Sequence, residues 1–195
     1  MKKSTKYSLI FIFVLVLLIP PFFGIYKEFL FITQININIV LFLALGVIFF
    51  LILNVIIRSI IYNAQSLEAM TNHNVVNAFI TNSNKYILLT YFPMIMIIEE
   101  LIFRFYLIGF LVITLDLEVN LAIFISSLIF SVYHVHTWFT YKNLRVLIMY
   151  LGVSFLLGLY NGYILISLGI IPCIVIHYGL VLHMYYSLYL RNFKD

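Results

Sequence analysis

Three charged residues lie within six positions of each other in a stretch that is otherwise apolar: Glu99, Glu100 and Arg104. Residues four apart share a face of an α-helix, so Glu100 and Arg104 can pair. Glu99 lies about 100° around the helix from Glu100 and has no obvious local partner. An unpaired carboxylate that faces a polar cavity in a low dielectric is suited to act as a general base. The alternative is a structural ion-pair cluster that locks neighbouring helices together.

Two histidines lie at depths that allow them to meet this cluster, His134 and His177. Glu99 and His177 are each 14 residues from a basic residue on the same side, which is roughly 21 Å of helix. His134 is eight residues, or roughly 12 Å, from that side. We therefore expect Glu99 and His177 to meet near the middle of a bilayer, with His134 close by. The other histidines are weaker candidates: His73 is expected to be solvated, His136 lies near the interface, and His183 is turned away from His177.

These residue types allow three chemistries. The first is hydrolysis by a water that a glutamate activates. The second is a zinc site, because two histidines and a glutamate are a common ligand set. The third is a proton relay in a transporter, although one charged cluster without an internal repeat supports transport poorly. Composition and depth do not choose among the three.

The composition identifies the solvent around these residues. Of the 195 residues, 65% are apolar and 9% are charged, and the mean hydropathy is +1.14. A soluble domain carries about 25% charged residues, and a disordered chain is far less apolar. The net charge of +4 comes from scattered basic residues, so we expect no nucleic-acid partner and a chain surrounded by membrane lipid.

The elements that must position the site are membrane-spanning helices. A helix needs about 20 mostly apolar residues to cross a bilayer, and six stretches provide them. The sequence therefore predicts an all-α membrane protein, a polytopic bundle of about six transmembrane helices. The final 47 uncharged residues suit two spans with a break near Gly169. The predicted spans are residues 7–25, 37–57, 86–115, 119–138 and two within 144–190.

The loop charges predict the orientation of these spans. With a cytoplasmic N-terminus, nine basic residues fall inside and one, Lys27, falls outside, as the positive-inside rule expects. Both termini are then cytoplasmic. We expect a multi-pass protein of the cell membrane, specifically of a bacterial cytoplasmic membrane. The nine inside residues are Lys2, Lys3, Lys6, Arg58, Lys85, Lys142, Arg145, Arg191 and Lys194.

The first half of the chain is predicted to support the site rather than to form it. Residues 7–25 are longer than a signal-peptide core and are expected to remain as the first span. Residues 58–85 are polar and predict either an amphipathic surface helix or a substrate gate. We divide the chain into residues 1–85, with two spans and this polar stretch, and residues 86–195, a core of about four spans that holds the site.

Three motifs in the second half resemble those of the CAAX protease and bacteriocin-processing (CPBP, or Abi) family. Residues 99–104 read EELIFR and match its EExxxR motif, and residues 130–134 read FSVYH and match its FxxxH motif. His177 falls where the family has its last histidine motif. The resemblance covers residues 86–190 and implies an intramembrane endopeptidase related to the type II CAAX prenyl proteases.

The resemblance also implies a role for each site residue. Glu99 would activate a water, which His134 would help to hold and polarise. His177 would stabilise the oxyanion, and Glu100 and Arg104 would orient these groups. The implied mechanism uses no metal or other cofactor, with zinc as the alternative. The implied substrate is a peptide or lipidated protein, in bacteriocin immunity or peptide maturation, and the oligomeric state is not predicted.

The chain departs from the family pattern at two positions. Val181 stands four residues after His177, where the family usually has Asn, and Phe105 follows Arg104, where Gly is common. The first departure removes an oxyanion donor, for which Asn161 is a substitute to consider. The alternative function is a catalytically degenerate relative that acts by binding a partner, as an immunity or regulatory protein.

Overall fold

The computed structural model describes residues 3–31, 35–81 and 86–193, which form helices joined by turns, and these ranges contain no strand. The prediction of an all-α polytopic membrane protein is confirmed. Lys2, Lys85 and Lys194, which were used to predict the orientation, lie outside the described residues. The α-helices are α1 (Lys3–Phe22), α2 (Ile37–Ile60), α3 (Ala64–Thr71), α4 (Asn74–Thr81), α5 (Phe92–Glu99), α6 (Val119–Tyr133), α7 (Thr137–Tyr141), α8 (Leu144–Leu168) and α9 (Ile170–Asn192).

Five helical stretches of the described chain are long and apolar enough to cross a membrane, and they match five of the six predicted spans. One of them combines α6 and α7, which a 3₁₀ turn at His134–His136 connects. The predicted break between the last two spans is Gly169, whose φ of 82° favours glycine. The five stretches are Thr5–Phe22, Ile37–Ile60, Val119–Tyr141, Leu144–Leu168 and Ile170–Asn192.

The third predicted span is helical from residue 86 to residue 114, but it is not one regular α-helix. Ile87–Tyr91 is π-helical, Phe92–Glu99 is α5, and Glu100–Ile108 and Phe110–Thr114 are π-helical again. In π-helical turns the hydrogen bonds run between residues five apart, and such turns occur frequently at functional sites. The sequence predicted an ordinary helix here, since the apolar pattern does not distinguish the wider turns.

Charged residues collect at the two ends of the bundle, because successive spans run in opposite directions. Two ring contacts show which parts of the first and third spans share an end. At one end Tyr7 packs on Tyr91, with ring centroids 5.4 Å apart, and at the other Tyr26 packs on Phe105 at 6.1 Å. The end that holds the start of α1 is named the basic end, and the opposite end is named the acidic end. The basic end carries Lys6, Arg58, Lys142, Arg145 and Arg191, and the acidic end carries Lys27, Glu28, Asp116 and Glu118.

Helix α8 is central to the bundle. About 50% of its most apolar stretch is buried, against 11% for α1 and α2. Helix α6 lies close against it because Gly158 and Gly162 have no side chains. A Cβ atom on Gly158 would lie 2.9 Å from the Cα of Ser127, and one on Gly162 would lie 2.6 Å from Cγ2 of Ile123. Small residues four apart allow membrane helices to approach in this way, and this contact holds the helix that leads into His134.

Buried apolar side chains form two clusters, one towards each end of the bundle. The cluster towards the acidic end includes Leu101, and the cluster towards the basic end includes Met70 and Met96. The third span passes from one cluster to the other between Met96 and Leu101. Glu99 and Glu100 therefore lie at the level where the two clusters meet.

The described part of the polar stretch, residues 58–81, folds back onto the basic end of the bundle. In its described part, α3 and α4 form a helical hairpin whose residues Met70, Val75 and Val76 are at most 1% exposed. These side chains pack with Phe92 and other residues of the basic-end cluster. The stretch is therefore part of the packed bundle rather than a free surface helix, and the division of the chain at residue 85 stays a prediction.

Candidate active site

Glu99 and Glu100 lie where α5 ends and the π-helical turns begin. Both are buried, at 6% and 0% exposed. Adjacent residues of a helix point about 100° apart, so the two carboxylates have different surroundings. Glu99 lines a cavity, and the carboxylate of Glu100 is instead enclosed by His177 and Arg104.

His177 of α9 lies between the two glutamates. Its Nδ1 is 2.6 Å from Oε1 of Glu100, and its Nε2 is 3.8 Å from Oε2 of Glu99. The first contact is a hydrogen bond in which Nδ1–H donates to the carboxylate. His177 thus meets Glu99 deep in the bundle, as the depths of the two residues in the sequence indicate, and both of its nitrogens are directed at carboxylates.

Arg104 and Glu100 form the ion pair that their spacing predicts. The Nε atom of Arg104 is 3.4 Å from Oε2 of Glu100, and both side chains are fully buried. The guanidinium carbon also lies 3.9 Å from the centroid of the Phe130 ring. A cation over an aromatic face is stabilised by the charge distribution of the ring, so Phe130 and Glu100 together accommodate the buried charge.

His134 begins the 3₁₀ turn after α6 and belongs to the same site. Its Nδ1 is 2.9 Å from the carbonyl oxygen of Phe130, an acceptor only, so Nδ1 carries the proton and Nε2 is left as an acceptor. The His134 ring meets the Phe130 ring edge-on at 4.7 Å, and the His177 ring meets it edge-on at 5.8 Å. Phe130 therefore contacts both histidines and Arg104, and it sets their separation.

A cavity of about 280 Å³ opens beside these residues and extends towards the basic end. Glu99, His134 and His177 line it at its deep end. Glu100 and Arg104 are not among its lining residues and lie behind the wall, where they hold His177 and Phe130 in place. The structure thus brings all five predicted site residues together, three facing the cavity and two supporting them.

The two positions that bear on the oxyanion donor have different surroundings. Val181 lines the cavity with an apolar side chain, one turn of α9 after His177. Asn161 of α8 is fully buried, does not line the cavity, and donates its Nδ2–H to the carbonyl oxygen of Cys173 at 3.2 Å. The side chain of Asn161 therefore links α8 to α9, and it does not replace the missing amide in the cavity wall.

The expectation that His73 is solvated is wrong. The ring lines the cavity and stacks on Tyr185, with centroids 4.3 Å apart, and Nδ1 accepts a hydrogen bond from the backbone N–H of Val75 at 3.2 Å. Burial lowers the pKa of His73 to about 4. The polarity of the surrounding sequence predicted exposure, but the folding of α3 and α4 onto the bundle places the half-buried ring in the cavity wall. His136, at the cavity wall, and His183 are exposed.

Sequence reasoning missed a group of tyrosines in the cavity wall, here named the tyrosine cluster: Tyr141, Tyr150 and Tyr185. The hydroxyls of Tyr150 and Tyr185 are 2.8 Å apart, and the rings of Tyr141 and Tyr150 stack at 5.8 Å. The sequence feature that indicates this cluster is the position of Tyr185, which follows Val181 by four residues and thus shares its face of α9.

The described residues contain no group of three His, Cys, Asp or Glu side chains arranged to hold one metal ion. The zinc alternative therefore gains no support from the geometry of this part of the chain. The expectation of a mechanism without a cofactor stays a prediction.

Comparison with known proteins yields one match. The model of the family described as type II CAAX prenyl endopeptidase Rce1-like matches residues 81–182, which is just over half of the chain. The matched range includes all five predicted site residues and Val181. Searches of curated proteins and of solved structures gave no match.

Proposed function

The chain belongs to the type II CAAX prenyl endopeptidase Rce1-like family, and on this basis we propose that it is an intramembrane endopeptidase that uses a glutamate-activated water. Its substrate is a peptide or a lipidated protein. The observation that carries the proposal is the state of Glu99. This carboxylate faces the cavity, and its Oε2 atom has no hydrogen-bond partner among the described residues. A buried carboxylate oxygen without a partner is costly, so its presence at a cavity indicates a ligand or a reacting water.

The proposed base and His177 leave room for that water. The 3.8 Å between Oε2 of Glu99 and Nε2 of His177 is too long for a hydrogen bond, so a water fits beside Glu99 and donates one of its two protons to the carboxylate. As the water oxygen attacks the carbonyl carbon, Glu99 takes one of its protons. The proton then passes to the amide nitrogen as the C–N bond breaks, which leaves a carboxyl group and an amine.

The other site residues support this reaction in the proposal. The free Nε2 of His134 accepts a hydrogen bond from the water, because the Nδ1–H of the same ring is bonded to the carbonyl of Phe130. Glu100 fixes the orientation of His177 through its 2.6 Å hydrogen bond. Arg104 balances the charge of Glu100. No cofactor takes part.

The shape of the cavity suggests where the substrate enters. The cavity extends from Glu99 towards the basic end, where His73 and Tyr141 line it. We propose that the basic end faces the cytoplasm of a bacterial cell, as the positive-inside rule indicates, and that the substrate reaches the site from the cytoplasmic half of the membrane. A role in bacteriocin immunity or in peptide maturation is part of this proposal.

The decisive test is the Glu99→Gln variant. Wild-type protein in liposomes is incubated with a prenylated CAAX peptide, and the products are measured by mass spectrometry. We expect cleavage by the wild type and a loss of about 10²–10⁴-fold in Glu99→Gln, because the amide cannot accept the proton of the water. Glu68→Gln is the matched control, because Glu68 is exposed on α3. Full cleavage by Glu99→Gln contradicts the proposal.

One observation favours a second function, that of a binding protein without catalysis. Val181 places an apolar side chain in the cavity at the position where the family usually has Asn. A binding protein keeps its biological effect in cells when Glu99 is changed to Gln, whereas a peptidase loses it. Comparing membrane peptides from cells with wild-type or Glu99→Gln protein separates the two functions and identifies natural substrates.

A further inference from the structure

The proposed hydrolysis requires a hydrogen-bond donor for the oxygen of the scissile carbonyl, and the expected donors are not in position. Val181 offers no polar atom to the cavity. Asn161 does not line the cavity, and its Nδ2–H donates to the carbonyl oxygen of Cys173 at 3.2 Å. His177 directs Nδ1 at Glu100 and Nε2 at Glu99. Another residue of the cavity wall must therefore donate.

Tyr185 is the next polar residue on the same face of α9. It follows Val181 by four residues, lines the cavity and is buried. Side chains on a helix point back towards its N-terminus, so the ring of Tyr185 reaches towards the level of Val181. Tyr185 and Glu99 line the same cavity. The hydroxyl of Tyr185 is hydrogen-bonded to that of Tyr150 in the wall of this cavity.

A count of protons shows that the tyrosine cluster has a donor to spare. The hydroxyls of Tyr150 and Tyr185 are 2.8 Å apart, and either can donate to the other. One hydrogen bond between these two hydroxyls uses one of their two protons. When Tyr150 donates to Tyr185, the proton of Tyr185 is left for an acceptor in the cavity, and the bond from Tyr150 strengthens Tyr185 as a donor.

We propose that the hydroxyl of Tyr185, supported by Tyr150, donates the hydrogen bond to the scissile carbonyl oxygen in place of the amide that Val181 does not provide. This inference rests on the proposed peptidase function. No proton is transferred by Tyr185: its hydrogen bond strengthens as the carbonyl oxygen gains negative charge, which stabilises the transition state more than the bound substrate. Tyr185 is thus a catalytic residue, and Tyr150 is a positioning residue.

The test is the Tyr185→Phe variant in the liposome assay with the prenylated CAAX peptide. The substitution removes one oxygen and keeps the ring that stacks on His73. We expect kcat to fall about 10²–10³-fold with little change in KM, as for the loss of an oxyanion donor. Tyr186→Phe is the matched control on the neighbouring, exposed residue and keeps the wild-type rate.

Two further variants distinguish the loss of the donor from misfolding of Tyr185→Phe. Tyr150→Phe leaves the donor and removes its support, so kcat falls by a smaller factor than in Tyr185→Phe. Val181→Asn, added to Tyr185→Phe, supplies an amide one turn closer to His177 and restores kcat at least about tenfold.

Several outcomes would overturn the inference. These are an unchanged kcat in Tyr185→Phe, a rise in KM alone, which indicates a substrate-binding contact, and a failure of Val181→Asn to restore the rate. The proposed function fails in a different way. If the wild type and Glu99→Gln cleave the peptide equally, or neither cleaves it, the peptidase proposal falls, and this inference falls with it.

Discussion

At the level of single residues, the site depends on the two contacts that the carboxylate of Glu100 makes. One oxygen of this buried carboxylate binds His177 at 2.6 Å, and the other lies 3.4 Å from Arg104. Taking a charge out of water is tolerable when it is paired and costly when it is alone. Glu100 thus makes the burial of Arg104 and the orientation of His177 possible together, although it does not face the cavity.

The Glu100→Gln variant tests this dependence through the free energy of unfolding. We expect a loss of about 3–5 kcal/mol, because Arg104 is left as a buried charge without its carboxylate. Replacing both partners, as in Glu100→Gln with Arg104→Met, is expected to cost less than Glu100→Gln alone. Unfolding in detergent micelles measures both, with Glu28→Gln as the exposed control. A double variant that costs more than Glu100→Gln alone would contradict the pairing.

At the level of elements, the histidine of α6 is positioned by the contact between α6 and α8. Gly158 faces Ser127 so closely that any side chain there meets backbone. The adjoining third span turns π-helical at Glu100, and its Arg104 rests on Phe130 of α6. A shift of α6 therefore moves Phe130 and His134 relative to His177 of α9.

The Gly158→Ala variant is expected to lower both stability and activity. The added Cβ would lie 2.9 Å from the Cα of Ser127, and such overpacking typically costs about 1–3 kcal/mol. Gly152→Ala on the same helix is the matched control, because its Cβ meets no atom within 4 Å. Alanine also favours a helix over glycine by about 0.5–1 kcal/mol. A Gly158→Ala protein as stable as Gly152→Ala would refute close packing of α6 on α8.

The elements were predictable from the sequence to different degrees. The apolar runs gave five spans and the break at Gly169, because length and hydropathy are local properties. The meeting of Glu99 and His177 followed from their depth in a bilayer. The tyrosine cluster and the stacking of His73 did not follow, since both depend on how α3, α4 and α7 pack against α8 and α9. The π-helical turns at Glu100 also could not be predicted from the pattern of apolar residues.

At the level of the whole molecule, the bundle buries its polar groups and leaves its apolar side chains outside. Leu9, Phe11 and Ile12 of α1 are all about half exposed, as expected of a surface that contacts lipid. The cavity begins between the two apolar clusters and extends to the hairpin of α3 and α4. That hairpin, which holds His73, is thus both a wall of the cavity and a packed part of the fold.

The stability of the whole bundle is therefore expected to depend on pH through His73. Its pKa is about 4 in the folded protein, because burial disfavours the charged ring, against 6.5 for an exposed histidine. The unfolded chain binds the proton at higher pH than the folded one. The contribution of the neutral ring is thus complete above about pH 6.5 and is lost as the pH falls towards 4.

Thermal unfolding in micelles at several pH values between 7.5 and 4 checks this dependence. His73→Phe keeps an aromatic ring against Tyr185 and removes the titrating group, so its melting temperature is expected to fall less on acidification than that of the wild type. His183→Phe, at an exposed position of α9, is the control and follows the wild type. Equal pH dependence in all three proteins would show that His73 does not titrate differently on unfolding.

The 77 residues that separate Glu100 from His177 fix an order of events during synthesis. A ribosome adds about 5–20 residues per second, so His177 is made roughly 4–15 s after Glu100. Each charge in a membrane segment costs a few kcal/mol on insertion scales. Glu100 can pair with Arg104 as soon as the third span is made, because both residues lie in that span. The hydrogen bond from His177 to Glu100 therefore forms only after α9 has been made, and α9 completes the site.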